Sequence, residues 1–173
     1  MTARSSGPIG LSHVRVNVRS DAMEHERVSV PKLAPDGYKA LAAVEGYLRH
    51  CGIELRLIHL VKMRASQING CAYCLAMHSR DARREGETEQ RLYLLDAWRE
   101  APLYSPRERA ALAWTEALTH IAETHAPEDV YEALRAHFSD KEIADLTIAI
   151  GMINLWNRVS IGSRTPPEVE VAA

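Results

Sequence analysis

Apolar residues recur three and four positions apart along most of the chain, from Pro35 to about residue 160. This spacing places them on one face of an α-helix, and no alternating run from Pro35 onward competes with it. Gly, Pro and an Asn-Gly pair divide the pattern into helices over about 36–50, 54–68, 71–86, 88–99, 105–123, 127–137 and 139–161. The pattern therefore predicts an all-α, single-domain helical bundle of about six to seven helices.

Two of the predicted helices begin with a clear capping signal. Ser105 and Ser139 are each followed three residues later by a glutamate, Glu108 and Glu142. In a capping box the serine accepts from the backbone N–H of the glutamate, whose side chain accepts from the backbone N–H of the serine. Both segments are therefore predicted to open helices.

The two ends of the chain differ from the middle. Residues 1–34 contain several Gly and Pro residues and a short alternating run at 14–18, which predicts an N-terminal arm with one extended segment. Residues 35–162 form the predicted helical domain. Residues 163–173, which include Pro166-Pro167, are predicted to be a flexible tail.

Composition excludes several classes of function. The 173 residues are 46% hydrophobic and 25% charged, with a net charge of −2, which is typical of a globular protein and offers no basic surface for nucleic acid. No apolar run is long enough to span a membrane, and the N-terminus lacks the apolar core of a signal peptide. We therefore expect a cytoplasmic protein with no nucleic-acid or membrane partner.

The chemistry is expected at Cys71, Cys74 and His78, whose spacing of three and four places them on one face of a helix. Asn69-Gly70 breaks the preceding helix, so Cys71 should open the next one, where the helix dipole favours a thiolate over a thiol. His78 could then move the proton. Oxidation of one cysteine to sulfenic acid and attack by the other would form a disulfide that an external dithiol reduces.

Residues 60–78, which contain this motif, resemble the core of the AhpD-like alkylhydroperoxidases, within the carboxymuconolactone decarboxylase superfamily. The resemblance implies an all-helical fold that assembles into dimers, trimers or hexamers. It also implies an enzyme that reduces hydroperoxides without a bound cofactor and whose cysteine pair is reduced again by a lipoyl- or thioredoxin-like dithiol. By motif position, Cys74 corresponds to the peroxidatic cysteine, Cys71 to its partner in the disulfide and proton relay, and His78 to the relay histidine.

Two positions depart from that family pattern. His59 stands where the family has a glutamate, and Tyr73 stands where it has a histidine between the cysteines. His59 could pass protons because its reference pKa is about 6.5, or it could be a core residue bonded to a backbone carbonyl. Glu45 could supply the missing carboxylate, although an exposed salt bridge is the simpler expectation.

Other interpretations of these residues remain open. Cys71, Cys74, His78 and His59 are also a conceivable set of zinc ligands, although ligands on one continuous helix close a tetrahedron poorly. A non-catalytic redox sensor or binding protein on the same fold is another alternative. Cys51 has no partner at motif spacing and is expected to be a buried spectator, and Trp156 is expected to pack at a subunit interface.

Overall fold

Helices account for all the regular structure between residues 26 and 168, which are the residues that the computed structural model describes. They are α1 (Val30–Leu33), α2 (Pro35–Leu48), α3 (Leu55–Asn69), α4 (Ala72–Arg84), α5 (Glu89–Tyr93), a 3₁₀-helix (Leu95–Ala97), α6 (Pro106–Thr119), α7 (Ile121–Thr124), α8 (Glu128–Arg135) and α9 (Asp140–Ser163). Six of the nine α-helices in this range have eight residues or more, and the other three are single turns. The predicted all-α fold is confirmed.

The centre of the bundle is the packing of α3 against α4, α6 and α9. Val61 of α3, Ala111 of α6 and Leu146 of α9 are fully buried in one hydrophobic cluster. Helix α2 lies outside this group, contacts α9, and has Leu48 as its one fully buried side chain. The segment that contains Cys71 and Cys74 therefore follows directly after the central helix α3, and α2 forms an outer layer.

Both predicted capping boxes are present. The backbone N–H of Glu108 donates to Ser105 Oγ (3.2 Å), and the backbone N–H of Ser105 donates to Glu108 Oε2 (2.7 Å). The same reciprocal pair joins Ser139 and Glu142 at the start of α9 (3.4 and 2.8 Å). Each box satisfies two backbone donors that a helix start would otherwise leave unpaired.

The prediction of one helix over 88–99 is wrong in its second half. Helix α5 ends at Tyr93 and a 3₁₀-helix follows. The buried residues here are Leu92, Leu95, Trp98 and Ala101, which all join one hydrophobic cluster. Their constant spacing of three matches the three residues per turn of a 3₁₀-helix better than the 3.6 of an α-helix, so packing favours the tighter form.

The predicted helix over 105–123 is likewise divided. The backbone of His120 leaves the helical region (φ −96°, ψ 31°), so α6 ends at Thr119 and α7 is a separate turn. Helices α8 and α9 begin and end within two residues of their predicted positions.

The described part of the N-terminal arm contacts the end of α9, where the backbone N–H of Arg27 donates to the carbonyl of Ser163 (2.8 Å). The predicted extended run at 14–18 lies outside the described residues. The division into arm, helical domain and tail stays a prediction, as does self-association. None of the helices in residues 26–168 combines the length and apolar character that crossing a membrane requires.

Candidate active site

A sharp turn between α3 and α4 positions the two cysteines. Gly70 adopts the left-handed conformation (φ 68°, ψ 34°) that ends α3, and Cys71 is extended (φ −89°, ψ 96°) as the N-cap of α4. Glycine suits this turn because side chains disfavour a positive φ. The predicted break at Asn69-Gly70 is therefore confirmed, and Cys71 and Cys74 occupy the first turn of α4.

The two cysteines lie together as free thiols. Their side chains hydrogen-bond each other, and both are buried, with 1% of Cys71 and 0% of Cys74 exposed. Ala65 of α3 and Ile153 of α9 complete the small cluster around them. The predicted closeness of the two sulfur atoms is present in the structure.

The pair is electrostatically asymmetric. The hydrogen bond from the Cys74 thiol, aided by the side chains of Asn157 and Ser160, lowers the pKa of Cys71 to about 6. The same sulfur–sulfur hydrogen bond, together with burial, raises the pKa of Cys74 above its ordinary value. At neutral pH the pair therefore holds one negative charge and one proton, with the charge on the sulfur at the helix start, as the helix dipole favours.

His59 and His78 form a second pair. Their Nδ1 atoms are 3.4 Å apart and their ring centroids 5.6 Å apart, so one imidazole donates to the other. Burial is the largest cause that lowers the pKa of His78, to about 3, and the positive charge of Lys62 adds to it. Burial also lowers the pKa of His59. Both rings are therefore neutral at pH 7, and His59 bonds a histidine instead of a backbone carbonyl.

The four predicted residues thus form two pairs, one of sulfurs and one of imidazoles. Cys74 and His78 are one helical turn apart on α4, but within residues 26–168 the structure shows no direct hydrogen bond between His78 and either thiol. No group of three or more His, Cys, Asp or Glu side chains in that range is arranged to hold a metal ion.

A charged pair lies near the histidines. Lys62 of α3, only 4% exposed, forms a salt bridge with Oε2 of Glu45 from α2. The other oxygen of Glu45 accepts from Trp156 Nε1 (2.9 Å). Glu45 therefore makes the expected salt bridge, but it is a half-buried one, and its carboxylate is engaged by Lys62 and Trp156 instead of by the histidines.

Two aromatic side chains pack beside the thiols. Tyr73 and Trp156 are partly exposed and pack against the cluster that contains Cys71 and Cys74. Trp156 also meets the ring of Tyr38 from α2 edge-on, with centroids 5.4 Å apart. Trp156 therefore packs beside the dithiol, and its place at a subunit interface stays a prediction.

Helix α9 contributes site residues that the motif did not predict. Cys74 Sγ lies 3.9 Å from Ser160 Oγ, and the Asn157 side chain lowers the pKa of both cysteines. The available signal was their spacing of three in an otherwise apolar helix, which puts both on one face. Cys51 is buried elsewhere, with its thiol donating to the carbonyl of Leu48 (3.3 Å), as expected of a spectator.

Comparison with known proteins identifies the family of this chain. Residues 35–117 match the carboxymuconolactone decarboxylase family. The uncharacterized protein YdfG of Bacillus subtilis (strain 168) is 44% identical over 136 residues, which are 79% of this chain and 92% of that protein.

Two solved structures are similar in fold. A protein of unknown function from Agrobacterium tumefaciens, described as a candidate AhpD antioxidant defence protein, is 50% identical and superposes with a TM-score of 0.82 over 84% of this chain and 100% of that one. The debrominase Bmp8 is 21% identical, with a TM-score of 0.71 over 78% of this chain and 73% of that one, and shares the fold. Together with the dithiol at the start of α4, these matches show that the chain belongs to the carboxymuconolactone decarboxylase family, as one of its AhpD-like members.

Proposed function

We propose that this protein is a thiol-dependent hydroperoxidase that reduces organic hydroperoxides through the Cys71–Cys74 dithiol. The observation that carries the proposal is a pair of free, hydrogen-bonded thiols at a helix start, in which the pKa of Cys71 is lowered to about 6. A thiolate is the nucleophilic form of cysteine, and a pair that holds one negative charge at neutral pH can place it on the attacking sulfur by moving the shared proton. Membership of the family supports a peroxidase-related activity.

In the first step the resting proton moves from Cys74 to Cys71, and the Cys74 thiolate attacks the terminal oxygen of the peroxide. The O–O bond breaks, and Cys71 gives its proton to the leaving alkoxide, which becomes an alcohol. Cys74 is oxidised to a sulfenic acid and Cys71 is again a thiolate. In the resting pair the negative charge is on Cys71 and the proton on Cys74. Because the two sulfurs share this proton, its transfer to Cys71 makes Cys74 the thiolate that attacks.

In the second step the Cys71 thiolate attacks the sulfenic sulfur of Cys74. A disulfide forms, and the hydroxide that leaves takes one proton to become water. The net reaction consumes one peroxide, one dithiol and no other oxidant. An external dithiol of the lipoyl or thioredoxin type then reduces the disulfide by exchange.

The histidine pair supplies the proton of the second step. Burial lowers the pKa of His78 to about 3, so this imidazole does not hold an extra proton at neutral pH. A neutral imidazole can still accept a proton on one nitrogen while it releases one from the other. The 3.4 Å contact between His59 and His78 makes such a relay continuous from the partly buried His59 to the buried His78. His59 thereby takes the place of the family's glutamate.

The apolar and aromatic side chains around the thiols favour an organic peroxide over a very polar one. We also propose that the protein works as a homo-oligomer in a reducing compartment such as the cytoplasm, where a dithiol donor keeps the pair reduced.

The direct test is to add an organic hydroperoxide to the reduced protein and count thiols. About two thiols per chain should be lost, and dihydrolipoamide should restore them through repeated cycles of peroxide consumption. If the thiols oxidise once and no dithiol restores them, the protein is a redox sensor instead. If bound zinc blocks the loss of thiols, the pair is a metal site.

The low pKa of Cys71 predicts the pH dependence of the oxidation. The rate of thiol loss should be half-maximal near pH 6, since the pKa of Cys71 is lowered to about 6, and nearly constant above neutral pH. Below the midpoint the rate should fall about tenfold per pH unit with the thiolate fraction. Stopped-flow measurement over this range checks it. A midpoint at about 8.5, as for an ordinary cysteine, would show that the pair is not activated.

A further inference from the structure

Three polar side chains interrupt the apolar helix α9 next to the dithiol. Asn154, Asn157 and Ser160 are all buried, and Asn157 is 0% exposed. A buried amide must have hydrogen-bond partners for both its oxygen and its nitrogen, because an unpaired one costs free energy. The proposed reaction uses only the sulfurs and the histidines, so these amides need a separate explanation.

The orientation of the first amide, Asn154, is determined by its partners. Arg158 Nη1 donates to its Oδ1 (3.2 Å), and its Nδ2 donates to the carbonyl oxygen of Ile150 (3.0 Å). A guanidinium has no acceptor and a carbonyl has no donor. Oδ1 of Asn154 is therefore an acceptor, and the amide cannot be flipped.

The orientation of Asn154 determines that of Asn69, at the end of α3, and Asn69 in turn determines that of Asn157. One side-chain atom of Asn69 lies 2.9 Å from Oδ1 of Asn154, and because that oxygen only accepts, the Asn69 atom must be the nitrogen Nδ2. The same Nδ2 also donates to Oδ1 of Asn157 (2.9 Å). The oxygen of Asn157 therefore faces Asn69, and its nitrogen faces the opposite way.

The other side of Asn157 gives the same result independently. Its Nδ2 donates to Ser66 Oγ (3.0 Å), and Ser66 Oγ donates its one hydrogen to the carbonyl oxygen of Lys62 (2.8 Å). Ser66 can then only accept from Asn157. Both ends of the network thus require the same orientation of the Asn157 amide.

The nitrogen of Asn157 has a second hydrogen that this network does not use. The Asn157 side chain acts as a hydrogen-bond donor that lowers the pKa of both Cys71 and Cys74, and Ser160, three residues further along the same face of α9, lies 3.9 Å from Cys74 Sγ. We propose that Asn157 is a positioning residue of the dithiol, locked by Asn69 and Ser66 so that it always presents an N–H donor, and never its oxygen, to the thiolate. Ser160 adds a hydroxyl from the same side.

The inference rests on the proposed function only in that the pair acts as a thiolate. A fixed donor stabilises a charge without reorganising, which is how preorganised sites lower the free energy of an anion. An amide free to rotate would also present its oxygen, which repels a thiolate. The network thus explains why buried polar groups are retained in an apolar helix.

The test is a spectroscopic titration of the thiolate in an Asn157→Leu variant, which has a side chain of similar size without the donor. The ultraviolet absorbance of the thiolate is followed against pH, with a Cys71→Ser/Cys74→Ser protein subtracted to remove Cys51. The midpoint should rise by about one pH unit or more, as expected for the loss of a hydrogen bond to a charged group. Ser160→Ala should raise it by less.

Two further variants make the result decisive. Thr115→Val removes another fully buried hydrogen-bonding group, bonded to the carbonyl of Ala111 on α6, and should leave the midpoint unchanged. Asn69→Ala/Ser66→Ala keeps the Asn157 amide but removes both side chains that fix its orientation, and should raise the midpoint even if Asn157→Leu does not fold. Unchanged midpoints in the folded Asn157→Leu and Asn69→Ala/Ser66→Ala variants would overturn the inference. Because no peroxide is used, a failure of peroxide turnover would leave this result intact.

Discussion

Replacing either Cys71 or Cys74 with serine is expected to lower peroxide turnover by at least about a thousandfold, because each removes one of the two atoms that form the disulfide. A serine hydroxyl is neither ionised at neutral pH nor able to form a bond to a sulfenic sulfur that a dithiol can reduce. The measurement is steady-state peroxide consumption with dihydrolipoamide in excess. Cys51→Ser is the matched control and should retain full turnover, since Cys51 lies away from the pair.

The two variants should differ in a single turnover, which identifies the attacking sulfur. With Cys71→Ser, Cys74 can still attack the peroxide but its sulfenic acid has no partner, so a dimedone adduct at Cys74 should accumulate and be seen by mass spectrometry. Cys74→Ser should give little adduct if Cys71 only resolves. The opposite pattern would mean that Cys71, the resting thiolate, is also the nucleophile. Adducts in neither variant would contradict the peroxidase proposal itself.

Local signals account for the parts of this structure that could be predicted from sequence. The capping box, a serine followed three residues later by a glutamate, is a four-residue signal for a helix start. Both helices that carry it begin where they were predicted to begin. Asn69-Gly70 likewise determines where α4 begins, and with it the first-turn position of Cys71 and Cys74. These features depend on neighbours along the chain, so they need no knowledge of the fold.

The remaining features depend on residues that are distant in sequence. The hydrogen bonds from Asn69 to Asn154 and Asn157 join positions 85 and 88 residues apart, and no periodicity indicates them. The pairing of His59 with His78 depends on how α4 folds back on α3. The constant spacing of buried residues from Leu92 to Ala101 was visible, but it indicates a 3₁₀-helix only once those residues are known to be buried.

The second large effect is expected at the ion pair between α2 and α3. In Glu45→Gln the Lys62 ammonium, only 4% exposed, loses its carboxylate. A buried charge without a counter-ion is strongly unfavourable, and since Glu45 itself is partly exposed we expect the free energy of unfolding to fall by about 2 to 3 kcal/mol. Glutamine keeps an oxygen that can accept from Trp156 Nε1, so the change isolates the charge. Denaturant-induced unfolding measures the loss.

Two comparisons separate the charge from other effects of this substitution. Glu132→Gln removes the carboxylate of an exposed pair with Arg135 and should change stability by less than about 0.5 kcal/mol. Glu45→Gln combined with Lys62→Met removes both charges and should recover most of the loss, because no buried ion is then left alone. A double variant as unstable as the single one would contradict this account.

The same lysine connects the stability of the bundle to the proton relay. Its positive charge contributes to the lowered pKa of both His59 and His78, after burial as the larger cause. Removing that charge in the Glu45→Gln/Lys62→Met variant should therefore raise both histidine pKa values while the contact between the rings persists, which NMR titration of the imidazoles would show. Since burial still holds the rings neutral, peroxide turnover at neutral pH should be retained, whereas a loss of turnover in this folded variant would show that the relay needs the cation itself.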